Sequence, residues 1–153
     1  MIKTRFALLA AVLALVMATP VHAEPIFING RGHVQNIGWQ GYVADNNVIG
    51  TVGKSLRLEA IQTRGGAVSN IEAHVQDIGW MAPVPDGEKA GTRHQGLRLE
   101  AIKINAVPGW DIECQAHVQN IGWMAPVKGG EKCGTTGKSL RLEAVRLHLV
   151  PKS

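Results

Sequence analysis

One block of seven residues occurs three times in this chain. His33-Val34-Gln35-Asn36-Ile37-Gly38-Trp39 returns as His74-Val75-Gln76-Asp77-Ile78-Gly79-Trp80 and again as His117-Val118-Gln119-Asn120-Ile121-Gly122-Trp123. The tryptophans are 41 and 43 residues apart. Gly-Thr follows each tryptophan by 11 residues, and Leu-Arg-Leu-Glu-Ala begins 17 residues after it (Leu56, Leu97 and Leu140). No insertion falls inside a unit; the length difference lies in 62–70 and 103–113. Three blocks matched in register are three copies of one supersecondary unit. A unit of about 40 residues cannot bury its own apolar face, so the copies must pack on one another.

Each copy reads as β. Apolar and charged residues alternate in Leu-Arg-Leu-Glu-Ala, the period-2 pattern of a half-buried strand. That pattern predicts Leu and Ala inward, Arg and Glu outward. Its phase breaks at Ala60-Ile61, Ala101-Ile102 and Ala144-Val145, which predicts a bulge or a strand end there. Turn-rich stretches separate the tryptophan from the Gly-Thr, as in Asp45-Asn46-Asn47, Pro85-Asp86-Gly87 and Lys128-Gly129-Gly130. A Leu-Arg-Leu-Glu strand, a loop and the next His-Val-Gln strand predict an antiparallel hairpin that bridges two copies. The fold class is therefore all-β, a pseudo-three-fold closed architecture of three repeats, since closure removes the exposed strand edges that invite aggregation. A β-prism comes first and a β-trefoil second. One tryptophan per unit resembles the β-prism lectins of monocot plants, in which a tryptophan from each sheet meets at the centre. The sugar-site motif of those lectins is absent, so the likeness extends to architecture alone.

Residues 1–23 are expected to be a secretory signal peptide. Lys3 and Arg5 form a basic start, Phe6 to Ala18 is an apolar run too short to span a membrane, and Val21-His22-Ala23 offers a cleavage site. Cleavage after Ala23 leaves a single domain, 24–153. The whole chain has 16 basic and 12 acidic side chains; without Lys3 and Arg5 these are 14 and 12, a net charge of +2. No basic run remains, which argues against a nucleic-acid partner. In an exported chain two cysteines, Cys114 and Cys133, predict a disulfide. Cys114 stands where the other copies have Gly30 and Ile71, and Cys133 where they have Ile49 and Ala90. A bridge there makes these two positions neighbours in every copy.

The repeat, His-Val-Gln-x-x-Gly-Trp, then Gly-Thr, then Leu-Arg-Leu-Glu-Ala, resembles the clostridial hydrophobic repeat with a conserved tryptophan, the ChW repeat. The resemblance spans residues 28–62, 71–103 and 113–146. It implies export, a cell-surface or extracellular setting (periplasm, surface or medium) and binding of polysaccharide or adhesion. The second copy departs from the pattern: His94 and Gly96 stand where the others have Gly53 with Ser55, and Gly137 with Ser139. A site built from that loop is expected to be altered in copy two.

No catalytic constellation stands out: no nucleophile elbow, phosphate loop or zinc-binding helix. Glu59, Glu100 and Glu143 recur in like environments, whereas a glycosidase needs two carboxyl groups in unlike ones. A non-enzyme without cofactor or metal is expected. Converging His33, His74 and His117 would suit zinc; the plainer reading is a hydrogen bond within each strand pair. Trp39, Trp80 and Trp123 are read as core before sugar platforms. The binding residues are expected as one polar groove per copy: Gln35, Asn36, Arg57 and Glu59; Gln76, Asp77, Arg98 and Glu100; Gln119, Asn120, Arg141 and Glu143. Amides, carboxylates and guanidinium groups suit sugar hydroxyls. Trp110, outside the repeated core, is a candidate stacking platform, and Tyr42 breaks the pattern at Pro83 and Pro126. The expected function is a lectin-like protein with up to three weak sites acting together on a glycan polymer. The alternative is adhesion to a cell-surface protein.

Overall fold

The computed structural model describes residues 10–153. The start of the expected signal peptide, 1–9, lies outside the described residues, and residues 10–26 are exposed and carry no regular structure. No helix among the described residues is long and apolar enough to cross a membrane.

The chain forms 13 strands and no helix among the described residues. Copy one contributes β1 (Asn29–Val34), β2 (Gly38–Trp39), β3 (Val43–Ala44), β4 (Ile49–Gly50) and β5 (Leu58–Arg64). Copy two contributes β6 (Val68–Val75), β7 (Gly79–Trp80), β8 (Ala90–Gly91) and β9 (Leu99–Ala106). Copy three contributes β10 (Trp110–Val118), β11 (Gly122–Trp123), β12 (Cys133–Gly134) and β13 (Leu142–Pro151). They build three antiparallel sheets, β2-β1-β5-β8 with β3 beside β1, β7-β6-β9-β12, and β11-β10-β13-β4. This is the prism-like all-β architecture.

The pairing of the long strands differs from the sequence expectation. Each His-Val-Gln strand pairs with the Leu-Arg-Leu-Glu strand of its own copy, not with that of its neighbour. Thus His33 lies opposite Ala60, His74 opposite Ala101 and His117 opposite Ala144. Copies are joined instead by the Gly-Thr segments. β8 of copy two adds to β5 of copy one, β12 of copy three to β9 of copy two, and β4 of copy one to β13 of copy three. The exchange closes the ring. Thr92 N–H donates to the Glu59 carbonyl (3.0 Å), Thr135 to Glu100 (3.0 Å) and Thr51 to Glu143 (3.1 Å). The glycine before each threonine is required: φ is 99° at Gly50, 105° at Gly91 and 112° at Gly134. A Cβ there would strike the same glutamate carbonyl of the neighbouring copy.

The core is aliphatic and repeats threefold. Val34, Val75 and Val118, Leu58, Leu99 and Leu142, and Ile61, Ile102 and Val145 are all fully buried. Each such Leu, Ile or Val is worth about 1.5–3 kcal/mol on burial. The tryptophans do not meet at the centre. They sit on the two-residue strands β2, β7 and β11 at the sheet margins, and Trp80 is 36% exposed.

Cys114 and Cys133 form the disulfide, with Cα atoms 6.1 Å apart. It ties β10 of the third sheet to β12, which belongs to the sheet of copy two. A loop of this size contributes about 3 kcal/mol in the chain-entropy view. In copy one the equivalent positions also adjoin, since a Cβ on Gly30 would overlap the Ile49 side chain.

Candidate functional site

The site begins with a bulge. Val34 pairs with Leu58 while His33 pairs with Ala60, so Glu59 is an extra residue with no partner across the ladder. Glu100 and Glu143 are the extra residues of the other two copies. A bulge of this kind re-aims a side chain. The three glutamates are therefore buried, 5–6% exposed, and do not face outward as alternation predicts.

Each buried carboxylate holds an arginine and approaches a histidine of its own copy. Glu59 takes Arg57 Nη2 at 2.7 Å and Nε at 3.0 Å, and accepts from His33 Nδ1 at 3.0 Å. Glu100 takes Arg98 Nη2 at 3.0 Å and Nε at 3.1 Å; Glu143 takes Arg141 through the same two atoms, both at 2.9 Å. His74 and His117 Nδ1 lie 3.3 Å from Glu100 and Glu143 but are not aligned as hydrogen bonds. The histidines thus stay with their own sheets and do not converge. No group of three or more His, Cys, Asp or Glu is placed to hold a metal among the described residues.

The glutamines and arginines do converge. Gln35, Gln76 and Gln119 line one cavity of about 420 Å³ with Arg57, Arg98 and Arg141, and with Ser55, Gly96 and Ser139. Equivalent residues from all three copies place it on the pseudo-three-fold axis at one end of the prism. Local geometry fixes this. Gln35, Gln76 and Gln119 N–H each donate to the carbonyl of Arg57, Arg98 or Arg141 at 3.0 Å. In return each glutamine Oε1 accepts the arginine backbone N–H, at 3.4, 3.5 and 3.2 Å. The three grooves expected from the sequence therefore share their inner ends.

Asn36, Asp77 and Asn120 have a backbone role that accounts for their type. They hold φ near 62–63° in the turns after the glutamines, a left-handed conformation that Asn and Asp tolerate best. Asn36 also borders a second cavity of about 500 Å³ with His33, Ile37, Arg57 and Glu59. His94 and Gly96 of copy two close that cavity, and the His94 ring lies 5.7 Å from His33. The sequence expectation placed the effect of His94 and Gly96 in copy two. They border the groove of copy one, because each Gly-Thr segment crosses to the preceding sheet.

The tryptophans are neither core nor open platforms. Each stands edge-on to its histidine, with ring centres 5.4 Å apart for Trp39, 5.2 Å for Trp80 and 5.1 Å for Trp123. Each also carries a cation over its ring: Arg31 at 4.7 Å, Lys103 at 4.4 Å and Arg146 at 4.5 Å. Sequence reasoning missed these cations because copy one departs from the other two: Lys103 and Arg146 share one repeat position, where copy one has Gln62. Arg31 lies on β1 opposite Gln62, whereas Lys103 and Arg146 lie on the partner strands opposite Glu72 and Gln115. Strand register would have revealed them. Tyr42 adjoins the same cluster, with Arg31 at 4.7 Å and Arg64 at 4.1 Å from its ring. Trp110 is remote from the axial cavity. It opens β10, a nine-residue strand whose other end leads into Gln119, about 30 Å away at the usual rise.

A ring of three β repeats, each completed by a strand from its neighbour and joined at one polar axial end, is an all-β, prism-like repeat architecture. The sequence matches the family described as Clostridial hydrophobic W over residues 33–64, 74–108 and 117–151, and the chain belongs to that family. No curated protein and no solved structure matches it significantly.

Proposed function

We propose that this is an exported, non-enzymatic protein that binds polysaccharide through its arginine-lined end. The observation that carries the reading is the convergence of three arginines and three glutamines on one cavity. Each guanidinium is pre-oriented by a buried carboxylate and keeps about a fifth of its side chain exposed. Planar, fixed hydrogen-bonding groups lose little freedom on binding a ligand. In copy one the neighbouring groove shares Arg57 and Gly96 with the axial cavity. An extended glycan can therefore occupy the axis and a radiating arm together.

The test is a glycan-array screen of the oxidised protein, followed by titration of any hit. Binding should fall at least about tenfold when Arg57, Arg98 and Arg141 are all changed to Lys. Lysine leaves each buried glutamate a cation but loses the planar fork, so the circular dichroism spectrum should not change. A stoichiometry near three assigns binding to the separate arms, and one near unity assigns it to the shared cavity. Undiminished binding in the lysine variant would reject this end of the molecule.

A second reading rests on Ile37, Ile78 and Ile121. They are 50%, 50% and 48% exposed at equivalent turns that adjoin the glutamines. Three apolar tips around a polar centre suit docking on a cell-surface protein. In that case the array is blank and a pull-down from envelope extracts recovers one partner per chain.

A further inference from the structure

The axial cavity offers many hydrogen-bond donors and few acceptors. Each glutamate occupies Nε and Nη2 of its arginine, which leaves Nη1 of Arg57, Arg98 and Arg141 unpaired among the described residues. Each glutamine Oε1 is taken by a backbone N–H, while Nε2 has no partner among the described residues. The carboxylates that would supply acceptors are buried, with side chains 7–8% exposed. Among the lining side chains, the hydroxyls of Ser55 and Ser139 and the second lone pair of each glutamine Oε1 are the remaining acceptors. Lys54 and Lys138, next in sequence to these serines, are exposed, and Asp77 is the acidic residue of the turns after the glutamines.

A neutral sugar hydroxyl is donor and acceptor together, and a cavity with many donors and few acceptors matches it poorly. A sulfate ion, or the ionised terminal group of a sulfate or phosphate monoester, is acceptor-only and presents three equivalent oxygens around one bond. Three Arg-Gln pairs around a three-fold axis match three oxygens of such a group. We infer that the cavity on the pseudo-three-fold axis binds a single phosphate or sulfate group, one per chain. The inference rests on the reading of this end as the binding end, and it narrows the ligand to a phosphorylated or sulfated polymer.

The experiment is calorimetric titration of the full oxidised chain with sodium phosphate and with sodium sulfate, at constant ionic strength in chloride. Saturable binding of one anion per chain is expected. The decisive variant changes Gln35, Gln76 and Gln119 together to Glu. Glu keeps the acceptor for the arginine N–H and the arginine–glutamate pairs, but replaces three donors by negative charge. Affinity for both anions should fall at least about tenfold, with an unchanged melting temperature and circular dichroism spectrum. If that variant does not fold, the single change Gln119→Glu serves, with a smaller loss in the same direction.

Absence of saturation, three anions per chain, or undiminished binding in the folded variant overturns the inference. Competition between inorganic phosphate and phosphorylated, sulfated or unmodified oligosaccharides identifies the source of the group. If unmodified oligosaccharides bind and neither anion does, the inference fails and the polysaccharide reading stands. If the anions bind one per chain and no oligosaccharide competes, the inference stands and the polysaccharide reading fails.

Discussion

Glu59, Glu100 and Glu143 orient the polar end without reaching it. Each carboxylate is held under its arginine, and bonds to a charged group of this kind are worth about 1.5–3 kcal/mol each. Arg57 keeps 24% of its side-chain surface exposed, so part of the pair's energy is lost to solvent screening. Glu59→Ala should therefore destabilise the protein by about 2–3 kcal/mol, and urea unfolding is the measurement. A shift below about 0.5 kcal/mol, the range of an ordinary surface change, would mean that the buried pair has no structural weight. The arginines and glutamines were legible in the sequence as polar and matched. The glutamates were legible as matched but not as buried. Strict alternation assigns Leu58 and Glu59 to opposite faces, and only the backbone register shows the extra residue that turns both inward.

At the level of elements, the least visible strands do the joining. β4, β8 and β12 are two residues long, too short for any periodicity to register. The sequence marked them only as a recurring Gly-Thr. Their partner in the neighbouring copy could not be read from one repeat, which is why the hairpins were expected between copies and are found within them. The disulfide was legible because a chain read as exported carries two cysteines and no more. The cations over the tryptophans were not, because a side chain on either of two paired strands can fill the same space. Two glycines separate steric need from turn preference. At Gly91 a Cβ would meet the backbone of Glu59 and Ala60, and φ is also positive. At Gly38 φ is 86°, but nothing lies within 4 Å of the added carbon. Gly91→Ala combines strain and overlap and should cost about 3 kcal/mol or more. Gly38→Ala should cost about 1 kcal/mol. Thermal melts of the two variants would rank them; equal losses would show that β8 is not held against β5 as described.

The whole molecule is a ring, and its cohesion follows from that. An open repeat array needs capping units because its terminal repeats have one unpaired face. Here β4 of the first copy completes the sheet of the last, so no copy is terminal and none has its full sheet alone. The same head-to-tail contact that closes the ring within one chain can close it between chains, since a heterologous interface whose rotation is a third of a turn gives a trimer. Residues 110–153, made alone and oxidised, keep β10, β11 and β13 but lack a neighbour to receive β12. The isolated copy should be unfolded at low concentration, because its three remaining strands have no second sheet to pack on and bury too little apolar surface. As concentration rises, β structure and the mass of a trimer should appear together in circular dichroism and sedimentation. A folded monomer of this fragment would show that a copy is self-sufficient and that strand exchange is incidental. A trimer would reassemble three identical Gln119 and Arg141 pairs around a true three-fold axis, and with them the axial cavity built from one copy alone.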